Sequence, residues 1–283
     1  IRRLDPAAVV NPNDYGFIDG FIPWDYTQLG GFADVVEADP YVSYPERDRV
    51  GRGRYNPGFG AKLLADLSGK RVRIVVQAFE YSRYRPVPGD LWTWTAQALR
   101  AGATDISFFG SDNPRFTNRR LYDAMLAIAR SVRGARLPAA PVDPAQLVLY
   151  STASEGQAQP GRTGGVRYRT SGDAIYTTYS LLGELGGADF SFDSDTRLEA
   201  EPARLAAART LWMPRGDTLD AAFAAKVADW VRTGGTLITT DPAAFTRAPD
   251  GSSLASVRDA LTGAPLGPVR RGSILEVQPG ALG

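Results

Sequence analysis

The chain has 283 residues, 43% of them hydrophobic, and its 32 basic and 31 acidic side chains leave a net charge near +1. It contains no histidine and no cysteine, which excludes imidazole bases, thiolate nucleophiles, histidine- or cysteine-ligated zinc and any disulfide framework. No long basic block marks a nucleic-acid partner, and no apolar run approaches the roughly 20 residues of a membrane span.

Burial therefore holds the chain together, in one large or two ordinary domains. Ala8 to Asn11 reads as a short strand, followed by a loop rich in glycine and aromatics that includes Tyr15, Phe17, Phe21 and Trp24. Phe32 to Ala38 reads as the next strand, closed by Asp39-Pro40-Tyr41, and a polar loop runs on to about Pro57. The leucine spacing predicts a helix over Phe59 to Leu67. Val72 to Phe79 (VRIVVQAF) carries the strongest buried-strand pattern, nearly continuous apolar with a β-branched centre. A helix from Trp92 to Arg100, a strand from Asp105 to Phe109 and a helix from Asn118 to Val132 follow. Pro138, Pro141 and Pro144 then mark a linker and the domain boundary.

Beyond the linker, Leu147 to Tyr150 reads as a strand and Ser151 to Thr170 as a long polar loop. Ile175, Tyr179 and Leu182 mark a helix ended at Gly186-Gly187; Phe190 and Phe192 alternate in a strand, and Pro202 to Ala208 is a short helix. The clearest unit runs from Arg209 to Asp241. Thr210 to Met213 is a strand, and a helix opens at Asp217 or Thr218, both good N-caps. Its apolar face is Leu219, Phe223, Val227, Trp230 and Val231, and Gly234-Gly235 ends it. Thr236 to Thr240 is the β-branched strand that follows, so the unit belongs to an open parallel α/β sheet. Residues 246–283, rich in glycine and proline with a weak strand at Ser273 to Val277, stay unassigned.

Taken together, the parts resemble a known arrangement. The stretch from VLYSTAS through LLGELG and RLAAARTLWMPRG to WVRTGGTLITTD resembles the glutamine-amidotransferase-like trimerisation domain of β-galactosidases in glycoside hydrolase family 42 and their relatives. VVQAF, then ALRAGATDISFF, then a helix and a linker, resemble the last units of the (β/α)8 barrel that precedes that domain. The likeness covers roughly residues 1 to 245. It implies an α/β fold: a partial (β/α)8 (TIM) barrel over 1–140, then a flavodoxin-like, class I glutamine-amidotransferase-like domain over 146–245. It also implies retaining hydrolysis of a carbohydrate substrate without metal or organic cofactor, and a homo-oligomer, a trimer in the family. Half a barrel would expose two strand edges and one open face, and Ile1 to Pro6 reads like the inside of a domain. The expectation is thus a fragment that lacks the acid/base half. The sequence gives no compartment.

Barrel sites lie at the carboxyl ends of strands, and retaining glycosidases use two carboxyl groups about 5 Å apart. Glu80, just after VVQAF, is the nucleophile candidate that the resemblance supplies; the alternative is a solvated loop residue. Family members carry a glutamate within the strand end, where this chain has Gln77. Asp39, Tyr41 and Asp112 close neighbouring strands and would take up sugar hydroxyls, unless they serve only as turn and cap residues. Trp24, in a loop, is a sugar-stacking candidate ahead of Trp92 and Trp94, which sit on a helix. Arg83 and Arg85 would steady a carboxylate or are simply solvated. In the second domain, an amidotransferase would need a cysteine with a histidine partner, so glutaminase chemistry is excluded and a structural role is expected. Gly161 to Gly165 (GRTGG) lacks the lysine of a phosphate loop and reads as a flexible loop. The competing function is a non-catalytic carbohydrate-binding or subunit-assembly module in which Gln77 marks a lost nucleophile.

Overall fold

A computed structural model describes residues 3–14, 24–42, 53–80, 84–110, 118–135, 140–157, 170–262 and 273–276. Its strands form two wholly parallel sheets. The chain divides into two compact units, Ile1–Ile18 with Gln28–Pro141, and Asp19–Thr27 with Val142–Gly283.

In the first unit, β1 (Asn13–Asp14), β2 (Val35–Ala38), β3 (Arg71–Gln77) and β4 (Asp105–Phe109) pair in strict sequence order. Parallel neighbours need crossovers, which α1 (Tyr26–Phe32), α2 (Asn56–Ser68) and α3 (Pro88–Arg100) supply; α4 (Arg119–Val132) follows the last strand. Side chains alternate along a strand, so Val72, Ile74 and Val76 share one face of β3, where α2 and α3 pack and all three are buried. The opposite face changes character along its length. Toward the amino-terminal end Glu37, Arg73 and Asp105 stand in register. Arg73 pairs with Glu37 at 3.1 Å, and Arg71 with Asp105 at 2.8 Å. Toward the carboxyl end the face becomes apolar, with Val75, Phe79 and Tyr41 in one cluster.

Two expected elements shift here. The strand anticipated at Ala8 to Asn11 lies at Asn13–Asp14; upstream, the Val10 carbonyl merely accepts from the amides of Asp34 and Val35. The strand anticipated from Phe32 begins at Val35, because Tyr26–Phe32 is helical despite Gly30-Gly31. Gly30 has a packing reason: a Cβ there would lie 2.3 Å from the Ser68 carbonyl oxygen.

The second sheet contains β5 (Gln146–Tyr150), β6 (Ser191–Ser194), β7 (Thr210–Met213), β8 (Thr236–Thr239) and β9 (Ser273–Glu276), in the order β6-β5-β7-β8-β9. Residues 246–283 contribute α10 (Ala255–Thr262), which packs on α9 (Ala221–Arg232), and the edge strand β9. Remaining helices are α5 (Thr152–Gln157), α6 (Thr170–Tyr179) running into a π-helical turn at Ser180–Leu185, α7 (Asp195–Ala200) and α8 (Pro202–Ala207). Leu147, Leu149, Leu211, Met213 and Leu237 from the strands meet Phe223, Val227 and Val231 of α9 in one core. That helix is capped by Asp220, whose carboxylate accepts from the amides of Ala222 and Phe223, rather than by Asp217 or Thr218. Asp217 is engaged with Arg215 instead, at 2.8 Å. Trp230 folds back over the helix end and donates to the Ala208 carbonyl, leaving Gly235 no room for a Cβ.

Candidate functional site

The polar residues at the carboxyl end of the first sheet are positioned by how β2 and β3 stop. β2 runs into Asp39-Pro40-Tyr41. Asp39 is only 4% exposed, and its Oδ2 accepts from the Tyr41 hydroxyl at 3.0 Å. Burial raises its pKa above the ordinary carboxylate value; hydrogen bonds from Tyr41 and Asn13 oppose the rise, and the charge of Glu37 adds to it. The Tyr41 carbonyl accepts from Asn56 Nδ2 at 2.9 Å, so the first residue of α2 holds the turn. Asn56 Oδ1 is buried with no partner among the described residues.

Tyr41 stands edge-on to Phe79, ring centroids 5.2 Å apart, and Phe79 likewise to Phe109 at 5.3 Å. Phe109, at the end of β4, is 53% exposed and faces the register position of Gln77. Gln77 is buried, 1% exposed, and donates its amide to the Phe79 carbonyl at 3.1 Å. Glu80 lies three residues beyond the strand at the surface. Arg85 grips it through Nε at 2.8 Å and Nη2 at 2.6 Å, with 43% and 72% of the two side chains exposed.

Of the residues anticipated from sequence, Asp39, Tyr41, Gln77 and Glu80 thus share one edge of one sheet. Trp24 lies in another part of the chain's division. It belongs to the segment grouped with the second unit, its carbonyl accepts from the Tyr150 hydroxyl at 2.9 Å, and its indole N–H is buried without a partner among the described residues. Asp112 lies outside the described residues, as do Asn113, Tyr81, Arg83 and the GRTGG stretch. Trp94 is core, 6.2 Å from the ring of Tyr84, while Trp92 is exposed on α3. Sequence reasoning passed over Phe109, Asn56 and Asn13. Period-two alternation in DISFF, aligned with VRIVVQ, would have put Phe109 beside Gln77; nothing comparable announces Asn56.

The second sheet has a carboxyl edge of its own. Its strand order reverses beside β5, and in open α/β sheets ligands bind outside such a reversal. Here the position is filled by the protein. The Asp195 carboxylate accepts from the amides of Thr152, Ala153 and Thr196 and from the hydroxyls of Ser151 and Thr152. Ser154 Oγ closes the other side by donating to the Thr218 carbonyl at 2.6 Å. Among the described residues no group of three or more acidic side chains is gathered to hold a metal, and no helix is long and apolar enough to cross a membrane.

No family model and no curated protein sequence matches the chain. Solved structures do. The chain is similar to a GH42 β-galactosidase from G. stearothermophilus, studied as a catalytic mutant, at 15% identity and a TM-score of 0.67, over 89% of this chain and 39% of that one. It is similar to a GH42 exo-carrageenase from Bacteroides ovatus at 13% identity and a TM-score of 0.62, over 99% and 40%. A β-galactosidase from the Antarctic haloarchaeon Halorubrum lacusprofundi matches at 17% identity and a TM-score of 0.62, over 89% and 40%. The chain spans about 40% of the length of these proteins. At such identities the likeness is one of fold, a mixed α/β architecture with parallel sheets shared with glycosidases.

Proposed function

We propose that this chain is the C-terminal portion of a glycoside hydrolase-like protein whose carbohydrate site lies at the carboxyl ends of β1 to β4. One observation carries the reading. Four parallel strands in sequential order present Asp39, Tyr41, Gln77 and Phe109 at the same edge, as the second half of a (β/α)8 barrel would. Buried polar groups beside an exposed aromatic ring suit a sugar, which offers hydroxyls along its rim and an apolar face.

In this reading Glu80 is the nucleophile of a retaining reaction on a β-galactoside-like substrate, oriented by Arg85. The acid/base carboxyl comes from residues outside this chain, about 5 Å from it. The order β6-β5-β7-β8-β9 is that of flavodoxin-like sheets, which supports the amidotransferase-like reading of the second unit. Lacking cysteine and histidine, that unit serves structure and subunit assembly, a trimer by resemblance. In the full-length parent, Glu80→Gln abolishes turnover of an aryl β-galactoside and leaves Tm unchanged. Undiminished turnover removes the assignment.

A second reading is favoured by Gln77. A buried amide stands where the resemblance puts a glutamate, which suits a module that binds carbohydrate without cleaving it. Saturable galactose binding by the full-length protein, with no turnover of any aryl glycoside, would select it.

A further inference from the structure

At the carboxyl end of β8 the second unit holds a cavity of about 40 Å³. A single water needs roughly 10–15 Å³, so the space admits a group of several heavy atoms. β8 contributes Leu237 and Thr239, α10 contributes Arg258 and Leu261, and the turn from Asp241 to Phe245 closes the side between them. That turn is strained. Phe245 is the one non-glycine with a left-handed φ, 58°, among the described residues, and it is buried. A bulky side chain takes up that conformation at a cost, and such positions gather where ligands are held. Here the strain is maintained by two bonds through one residue. The Phe245 amide donates to the Gly216 carbonyl at 2.8 Å, and the Gly216 amide donates to Asp241 Oδ2 at 2.9 Å.

The polar side chains of the lining are engaged by the protein, with one exception. Thr239 Oγ1 donates to the Met213 carbonyl and accepts from the Asp241 amide. Both Asp241 oxygens accept amides, from Gly216 and Ala243. The Thr262 hydroxyl donates to the Arg258 carbonyl at 2.9 Å. Arg258 donates from Nη2 to the Pro242 carbonyl at 2.8 Å, and no carboxylate pairs with it among the described residues. Its remaining donors and its charge are thus the unmatched chemistry of a lining otherwise supplied by Leu237, Ala244, Phe245 and Leu261. We propose that this cavity binds a small carboxylate with a short apolar chain. The carboxylate oxygens meet the guanidinium of Arg258, whose planar fork matches them, and the chain lies against Leu237, Phe245 and Leu261. A cation is repelled by Arg258, and water finds too few partners along the apolar wall. Open parallel sheets take ligands at the carboxyl ends of their strands. On this sheet the reversal beside β5 is filled by Asp195, whereas the end of β8 is left with room. The inference stands apart from the carbohydrate reading of the first unit.

The test titrates the full chain with propionate and with its neutral counterpart propionamide, following backbone amides by two-dimensional NMR. Propionate is expected to saturate at millimolar concentration and to shift amides of residues 237–245 and 258–262, leaving β5 and β6 unmoved. Propionamide is expected to bind at least about tenfold more weakly, since it lacks the charge that Arg258 answers. Arg258→Met keeps the apolar stem and removes the guanidinium; it should lower propionate affinity by about tenfold or more and leave propionamide unaffected. Arg258→Lys, which restores a charge without the fork, should recover part of the loss. No saturable shift by about 50 mM propionate overturns the proposal, as do shifts scattered over surface arginines. Equal binding of propionate and propionamide overturns the role of Arg258. That comparison is made on the unmutated chain, so it decides the matter even if Arg258→Met fails to fold.

Discussion

Gln77 donates its side-chain amide to the carbonyl of Phe79 at 3.1 Å, closing the end of β3 on itself. The bond sets where the strand stops and holds the backbone that presents the Phe79 ring to both Tyr41 and Phe109. Glu80 leaves the sheet directly afterwards, so its outward course begins at this turn.

Replacing that amide by a carboxylate tests how far the turn depends on it. In Gln77→Glu an ionised side chain can only accept, and it would face a carbonyl that also only accepts. We predict a loss of about 1–3 kcal/mol at neutral pH. Burial would raise the folded-state pKa of the new carboxyl, so the loss shrinks as pH falls and the protonated acid again donates to Phe79. Urea unfolding at pH 4 and pH 7 checks this; an equal loss at both would contradict it.

Asp39 carries a pH signature of its own. Its folded-state pKa is raised, chiefly by burial, so the folded chain holds this proton more tightly than the unfolded one. Its contribution is complete below the unfolded carboxylate pKa of about 3.9 and is lost as pH rises through the higher folded value. Asp39→Asn keeps an acceptor for the Tyr41 hydroxyl and cannot ionise. The stability of the variant relative to the unmutated chain should therefore improve as pH rises above about 4. The opposite trend would mean that the hydrogen bonds, and not burial, control the group.

Two ion pairs separate burial from exposure. Asp193 is fully buried and receives Arg197 Nε at 2.5 Å and Arg204 Nε at 2.7 Å. Asp193→Ala removes the buried carboxylate that both guanidinium groups share and should cost about 3–5 kcal/mol. The exposed Glu80–Arg85 pair should contribute less than about 1 kcal/mol, so Glu80→Gln hardly moves the unfolding midpoint. Comparable losses in the two variants would refute the distinction.

The adjacent glycines of α1 should behave oppositely. A Cβ on Gly30 would collide with the Ser68 backbone, whereas one on Gly31 meets nothing within 4 Å. Gly30→Ala should lower stability by about 1–3 kcal/mol. Gly31→Ala should raise it by about 0.5–1 kcal/mol through helix propensity and reduced unfolded-state entropy. Thermal melts of the two variants decide it.

How much of this was readable in the sequence differs from element to element. Asp105–Phe109 emerged with its boundaries intact, because a β-branched and aromatic run sits between a glycine-ended helix and a polar loop. Asn118 marks the start of α4 in sequence and structure alike; its Oδ1 accepts from the Leu121 amide at 3.1 Å. The position of the two-residue strand β1 is not legible, because no periodicity survives over so short a span. α1 is not legible in the sequence, because its glycines argue against a helix locally, while a tertiary contact with Ser68 requires one of them. The sequence offers Asp217 and Thr218 as starts of α9 because both are good caps in isolation; in the fold the first is engaged by Arg215, and the second is buried under Ser154. At the candidate site, strand-end residues such as Asp39 and Gln77 could be named from sequence. The attachment of Trp24 to a sheet more than a hundred residues away could not, since nothing local encodes the hydroxyl of Tyr150.

The carboxylate of Asp195 already occupies the amides at the end of β5, with α5 and α7 beginning around it. A phosphorylated cofactor seeking that lobe would compete with an anion delivered by the polypeptide itself at very high effective concentration. Nucleotide libraries screened against this molecule should accordingly draw a blank there, and evolution could reopen the berth by changing a single codon.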